Sequence, residues 1–249
     1  MKRLFLFVLF AVFCRSAAAQ YAGDNVITLG GAWLDFSESH ASHLSSSSAF
    51  GTFDSSTSAQ LHNAATAGLI LQHFFTDHIS VEGLIAYPPT LDGFAQGTAA
   101  PLGQGGPQLP VGGMRPLLSA RAWPATMLVQ YSFFSGASKF RPFLGVGANY
   151  TWYSNIKLNP EFSGAAQEFA GPGGSVHSSL SPSWNPVGTA GFTYALSEHV
   201  YLNASVIYFP LKTNATITSV AANGETTLTN RLHVNANPII AFAGIGYRF

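Results

Sequence analysis

The stretch that decides the fold is Arg231–Phe249, RLHVNANPIIAFAGIGYRF. From Ile239 onward one parity carries Ile239, Ala241, Ala243, Ile245, Tyr247 and Phe249. The other carries Ile240, Phe242, Gly244, Gly246 and Arg248. Alternation with period two, closed by an aromatic pair on one face, is a strand pattern. One face is apolar throughout, as a face turned to lipid must be. The other mixes small and large residues, as a crowded interior does. Strands of roughly 9–11 residues with these two faces build a transmembrane barrel. A soluble sandwich can also end on a strand, but it has little use for a bare Phe249 at the end of an apolar face.

Composition points the same way. Charged residues make up 9% of the chain, against roughly 25% in a soluble domain. Hydrophobic residues are 47%, aromatic residues 13%, and the formal net charge is zero. That balance excludes an electrostatic case for nucleic acid and suits an outer surface that faces lipid. Met1–Ala19 has the form of a secretory signal peptide. Lys2 and Arg3 precede an apolar stretch, Leu4–Phe13, which is too short to span a bilayer, and Ala17, Ala18 and Ala19 supply the small residues for cleavage. The mature chain is expected to start at Gln20 and to form a single barrel over residues 20–249. The lone cysteine, Cys14, lies in the leader, and Ala11 and Phe13 before it do not fit a lipoprotein signal. The mature chain then has no disulfide and no lipid anchor. No later stretch is a run of roughly 18 apolar residues, so membrane entry requires a closed barrel with every backbone group paired.

Taken in order, strands are expected at 25–35, 60–74, 79–91, 121–134, 140–158, 184–195, 200–211 and in the closing stretch. Between them lie loops at 37–58, 92–120, 159–183 and 213–230, rich in Ser, Gly and Pro, and short turns at 75–78, 135–139 and 196–199. Long and short connections alternate strictly. The fold class is therefore all-β, an eight-stranded antiparallel transmembrane β-barrel with short periplasmic turns and long extracellular loops.

The residues then carry a family likeness. Phe75-Thr76-Asp77-His78-Ile79-Ser80-Val81-Glu82 with Ala86-Tyr87-Pro88, then Ser138-Lys139-Phe140-Arg141-Pro142-Phe143 with Gly145, Gly147 and Asn149-Tyr150-Thr151, then Leu202-Asn203-Ala204-Ser205-Val206, and finally Gly246-Tyr247-Arg248-Phe249, together resemble the OmpW family of small outer-membrane proteins. The likeness covers nearly the whole mature chain outside the loops, although residues 92–120 are longer than the family's second loop. It implies a bacterial outer-membrane location, insertion by the barrel-assembly machinery, and an apolar lumen that binds or passes small hydrophobic molecules. Tyr247 and Phe249 resemble the C-terminal insertion signal of such proteins. The family's lumen is narrowed by a Leu and a Trp. Leu84 matches the first, but Ile207 stands in place of the Trp, which implies a wider constriction.

On their own terms, eight strands leave an interior that side chains nearly fill. Inward glycines, among them Gly30, Gly68, Gly147 and Gly244, either leave a pocket or relieve crowding. In the upper half the inward parity turns apolar at Leu84, Ile207, Phe209 and Phe242, which suits a lining for an apolar ligand. Three inward charges, Glu82, Arg141 and Arg248, all fall near the periplasmic end and are expected to meet as an ionic plug. The histidines are scattered, with no metal spacing and no catalytic pairing, so neither enzyme chemistry nor a cofactor is expected. A structural, adhesive or phage/colicin-receptor role carried by the loops is the main alternative.

Overall fold

The structure, a computed structural model, describes residues 20–249 apart from 56 and 104, and the backbone alone at 42 and 43. The expected signal peptide lies outside the described residues. In chain order the elements are β1 (Asn25–Asp35), β2 (His40–Ser48), β3 (Gly51–Ser55), β4 (Thr57–Leu61), β5 (Ala64–Phe74), β6 (Ile79–Ala86), β7 (Thr90–Ala99), β8 (Leu109–Pro110), β9 (Leu118–Ser132), β10 (Phe140–Leu158), α1 (Pro160–Ala170), β11 (Ser175–Leu180), β12 (Ser183–Ala195), β13 (Val200–Tyr208), β14 (Leu211–Val220), β15 (Thr226–Ala236) and β16 (Ile239–Arg248).

Eight of these close a barrel. Its order is β1-β5-β6-β9-β10-β12-β13-β16, and β16 returns to β1, every pair antiparallel. Closure leaves no unpaired edge for the hydrocarbon to meet. Alternation sorts the side chains. Leu29 is 65% and Val146 71% exposed on the outer face, while Thr28, Leu128 and Asn149 are buried within. Aromatic residues ring the outside near both ends. Tyr131, Phe133, Phe140 and Tyr247 lie by the short turns. At the opposite end Trp123 stacks on Trp152 (6.1 Å) and Tyr150 packs against Trp184 (4.8 Å). These are the interfacial girdles of a membrane barrel.

The short turns are built as their residues suggest. The Thr76 hydroxyl accepts from the backbone N–H of Ile79 (2.9 Å), and that of Ser197 accepts from Val200 N–H (3.2 Å). The long connections differ from expectation. Residues 37–58, 92–120, 159–183 and 213–230 are not simple loops. They hold β2, β3, β8, α1 and β11, most of β7 and β14, and the first part of β15. A five-stranded sheet, β11-β14-β15-β2-β3, stands beyond the outer end of the barrel, and β7 continues the barrel wall from β9 to β4. Within β14 the alternation Leu211, Thr213, Ala215, Ile217 turns one face inward to be buried, so these strands have a core of their own. Three expected strands break where proline removes a donor: at Pro88 and Pro89 between β6 and β7, at Pro210 between β13 and β14, and at Pro238 between β15 and β16.

Interior crowding explains much of the glycine content. A Cβ on Gly147 would collide with the Met127 carbonyl oxygen of β9, whereas one on Gly188, on the neighbouring β12, would meet nothing within 4 Å. Gly147→Ala should therefore lower stability by about 2 kcal/mol through overpacking, while Gly188→Ala should be neutral or slightly stabilising. Urea unfolding of both variants in detergent micelles, followed by heat-dependent gel mobility, checks the contrast.

Candidate functional site

Three strands deliver the apolar lumen candidates to one place. Leu84 from β6, Ile207 and the following Phe209 from β13, and Phe242 from β16 line a single cavity of about 30 Å³, together with Leu34, Thr126 and Ile240. Phe242 narrows it most. A Cβ on Gly30 would lie 2.6 Å from Phe242 Cζ, and one on Gly68 would lie 3.1 Å from its Cε2. The ring therefore lies across two glycines on adjacent strands, and these glycines relieve crowding rather than leave a vacant pocket. The wider constriction implied by Ile207 is offset by this ring.

Beyond this throat, toward the outside, lies a second and larger cavity of about 80 Å³. Its wall comes largely from the folded connections: Leu44 of β2, Leu61 of β4, Leu91 of β7, Phe162 of α1, Ile217 of β14 and Leu232 of β15. Tyr153 of β10 and Leu211 complete the side nearest the barrel. The lining contains no charged residue. Its threonine hydroxyls are engaged: Thr57 donates to Thr98 O (3.1 Å) and Thr213 to Ser181 O (2.8 Å). One buried cluster, including Leu34, Phe36, Leu91, Phe209, Leu211 and Ala236, separates this chamber from the throat.

Below the throat the interior turns polar. Glu82 is buried, and its carboxylate accepts from Gln130 Nε2 (2.6 Å). Gln130 Oε1 in turn accepts from Gln72 Nε2 (3.0 Å), which also reaches Ser80 Oγ (2.8 Å). Asn149 donates to Thr126 Oγ1 (2.9 Å) and accepts from the Thr151 hydroxyl (2.7 Å). The expected plug of Glu82, Arg141 and Arg248 is not formed. Glu82 sits between the inward amides of β5 and β9, its neighbours in the wall. Arg141 lies nearer the rim, where it donates to the backbone oxygens of Gln20 (3.0 Å) and Asp77 and to Gln20 Oε1 (3.4 Å). Arg248 pairs with Asp24 at 3.1 Å. Parity placed all three charges inward, but height along the barrel assigns them different partners. The floor is a hydrogen-bonded amide and hydroxyl network in which Gln20, Gln72 and Gln130 take the place expected for charge. The signal of Gln72 and Gln130 was present in the inward parity of β5 and β9; Gln20, ahead of β1, lay outside any strand pattern.

The closing aromatics face outward at the rim. Tyr247 stacks on His199 at 5.8 Å, and the Phe249 backbone N–H donates to Asn25 O (3.1 Å). His233 shares a hydrogen bond with Asn214 Oδ1 (2.7 Å). Among the described residues no group of three His, Cys, Asp or Glu side chains is placed to hold a metal.

A closed eight-stranded barrel with a lipid-facing exterior and two aromatic girdles is an outer-membrane β-barrel protein. The chain belongs to the OmpW family, whose sequence profile matches residues 22–249. It is 31% identical over 182 residues to outer membrane protein W of Vibrio cholerae, covering 73% of this chain and 72% of that one. It is 28% identical over 236 residues to outer membrane protein W of Escherichia coli K12, covering 94% and 92%. Its fold is similar to the crystal structure of outer membrane protein OprG from Pseudomonas aeruginosa, with a TM-score of 0.71, 26% identity, and coverage of 93% of this chain and 98% of that chain. The solid-state NMR structure of outer membrane protein AlkL in DMPC bilayers shares the fold at a TM-score of 0.59 and 18% identity, covering 94% of each chain.

The floor network makes a specific prediction. Glu82→Leu removes the acceptor for Gln130 Nε2 and should cost roughly 1–3 kcal/mol through the unpaired buried donor. Glu82→Gln, which keeps an acceptor oxygen, should cost less. Unfolding midpoints in micelles separate the two; equal losses would show that Gln130 does not depend on this bond.

Proposed function

We propose that this barrel binds small hydrophobic molecules at its outer end and passes them, chemically unchanged, into the outer membrane. The observation that carries this is the unbroken apolar character of the route, from the chamber under Phe162 and Ile217 to the throat at Leu84, Ile207, Phe209 and Phe242. Such concave apolar linings with few polar groups suit apolar ligands. The polar floor argues against onward passage to the periplasm, because an apolar solute would have to displace the bonds among Gln72, Glu82 and Gln130.

Release is then sideways, and the wall has a weak seam at the right height. Pairing of β6 with β9 stops at Ile85–Ala125, and β7 takes up β9 at Thr90–Arg121. Between them stand Pro88, Pro89 and Pro124, which have no N–H to give, and the gap is crossed by Ala122 N–H donating to Pro89 O (3.0 Å). Ala86, Pro89 and Pro124 line the throat itself. A solute leaving here enters lipid, a transfer favoured by about 25 cal/mol per Å² of apolar surface kept from water. The exposed Tyr247 and Phe249 on the closing strand support recognition of that strand by the barrel-assembly machinery during insertion.

Hydrophobic solute uptake by cells or proteoliposomes tests the route. Leu84→Asp and Ile207→Asp each put a charge into the throat and should cut uptake more than tenfold, while Glu82→Gln should leave it intact. Uptake that survives both aspartates but falls with Glu82→Gln would place the path through the floor and overturn the sideways exit.

A further inference from the structure

The outer chamber is lined almost wholly by carbon, with one exception that the apolar route leaves unexplained. Tyr153 lies on β10 above Asn149 and Thr151, on the same inward parity, and its ring forms part of the chamber wall. Its hydroxyl oxygen is shielded from solvent and has no hydrogen-bond partner. Thr213, the hydroxyl near it, donates its own proton to Ser181 O (2.8 Å), and no bond of good geometry joins it to the phenol. Among the described residues two other buried polar atoms lack partners, Gln20 Nε2 and Asn203 Oδ1, but neither residue lines this chamber.

A buried hydroxyl left unbonded is costly, and phenylalanine would supply the same packing without that cost. We propose that the Tyr153 hydroxyl recognises the polar group of the solute, so that the chamber favours neutral molecules carrying one oxygen function on an apolar body: medium-chain alcohols, aldehydes, ketones or esters. The inference rests on the uptake role proposed above and narrows its substrate class. The phenol donates to the solute oxygen, and when the solute is an alcohol the phenol oxygen can accept in return. The apolar remainder lies against Leu61, Leu91, Leu211 and Ile217. Ionised fatty acids are disfavoured, because no cationic side chain lines the chamber to receive a carboxylate. The chamber's volume of about 80 Å³ is several times the roughly 10–15 Å³ that a single water needs, so it accommodates more than the polar group alone.

The test compares octane with 1-octanol, which differ by one hydroxyl. Full-length mature protein in phosphatidylcholine nanodiscs is loaded with the fluorescent apolar probe 1-N-phenylnaphthylamine, and displacement by each competitor is corrected for partition into protein-free discs. The protein should prefer octanol by roughly three- to tenfold, the range of one neutral hydrogen bond. Tyr153→Phe should bring the ratio close to one by weakening octanol and not octane, whereas Tyr208→Phe, on the outward face of β13, should leave the ratio unchanged. The Phe variants keep the ring, and unchanged heat-dependent gel mobility confirms that they fold. A protein that binds octane and octanol alike, or a Tyr153→Phe variant that keeps the preference, overturns the inference while the uptake role stands. Failure of both competitors to displace the probe overturns the uptake role and this inference with it.

Discussion

In hydrocarbon a backbone N–H or C=O without a partner costs several kcal/mol, and the structure of this chain follows from that constraint. Eight strands satisfy it by closing on themselves, β16 against β1 along the register from Val26–Arg248 to Asp35–Ile239. Closure with so few strands makes the interior narrow. Narrowness accounts for Gly147 under the Met127 carbonyl and for Gly30 and Gly68 beneath the Phe242 ring. The same narrowness means that any passage is a matter of a few side chains rather than of an open pore.

Within that bore, the chain separates two kinds of interior. Near the short turns the walls meet through amides, hydroxyls and a few charges, each with neighbours on adjacent strands. Toward the outside they meet largely through apolar side chains such as Leu, Ile and Phe. A polar network is costly to open and an apolar contact is not directional, so the lower part is a fixed floor and the upper part is a surface that can accept a guest. The outer layer of strands and α1 extends the apolar part well beyond the barrel rim, and it encloses a chamber that the barrel by itself would leave open to water.

How much of this was legible in the sequence depended on what each residue had to do. The membrane strands were legible because lipid demands strict alternation, and β10 runs over the expected residues 140–158. The throat was legible for the same reason, since parity alone points Leu84, Ile207, Phe209 and Phe242 inward. The outer layer was obscured where its strands lack apolar alternation. β2 is mostly serine, and Ser46 is held inside by a bond to Asn230 (2.6 Å) rather than by hydrophobicity. α1 did leave a signal, an Asn159 cap accepting from Glu161 N–H (3.0 Å), Pro160 in the first turn, and Phe162, Ala166 and Ala170 spaced by four on the buried face. It was hidden in a stretch rich in glycine and proline. The partners of Glu82, Arg141 and Arg248 were not legible, because parity gives a side chain's direction but not its height above the rim.

The prolines at the barrel rim have a further consequence. Where Pro89, Pro210 and Pro238 interrupt the strands, the hydrogen-bond ladder of the membrane wall ends and that of the outer layer begins, so at these three joins register is not transmitted, whereas β9 and β10 run through from one to the other. Insertions and substitutions in the outer strands beyond these joins therefore leave the lipid-embedded pairing in phase. The part that meets the outside world is free to change without disturbing the pairing that must satisfy the bilayer. A family built this way can reshape the entrance of its chamber over evolutionary time without having to solve the membrane problem again.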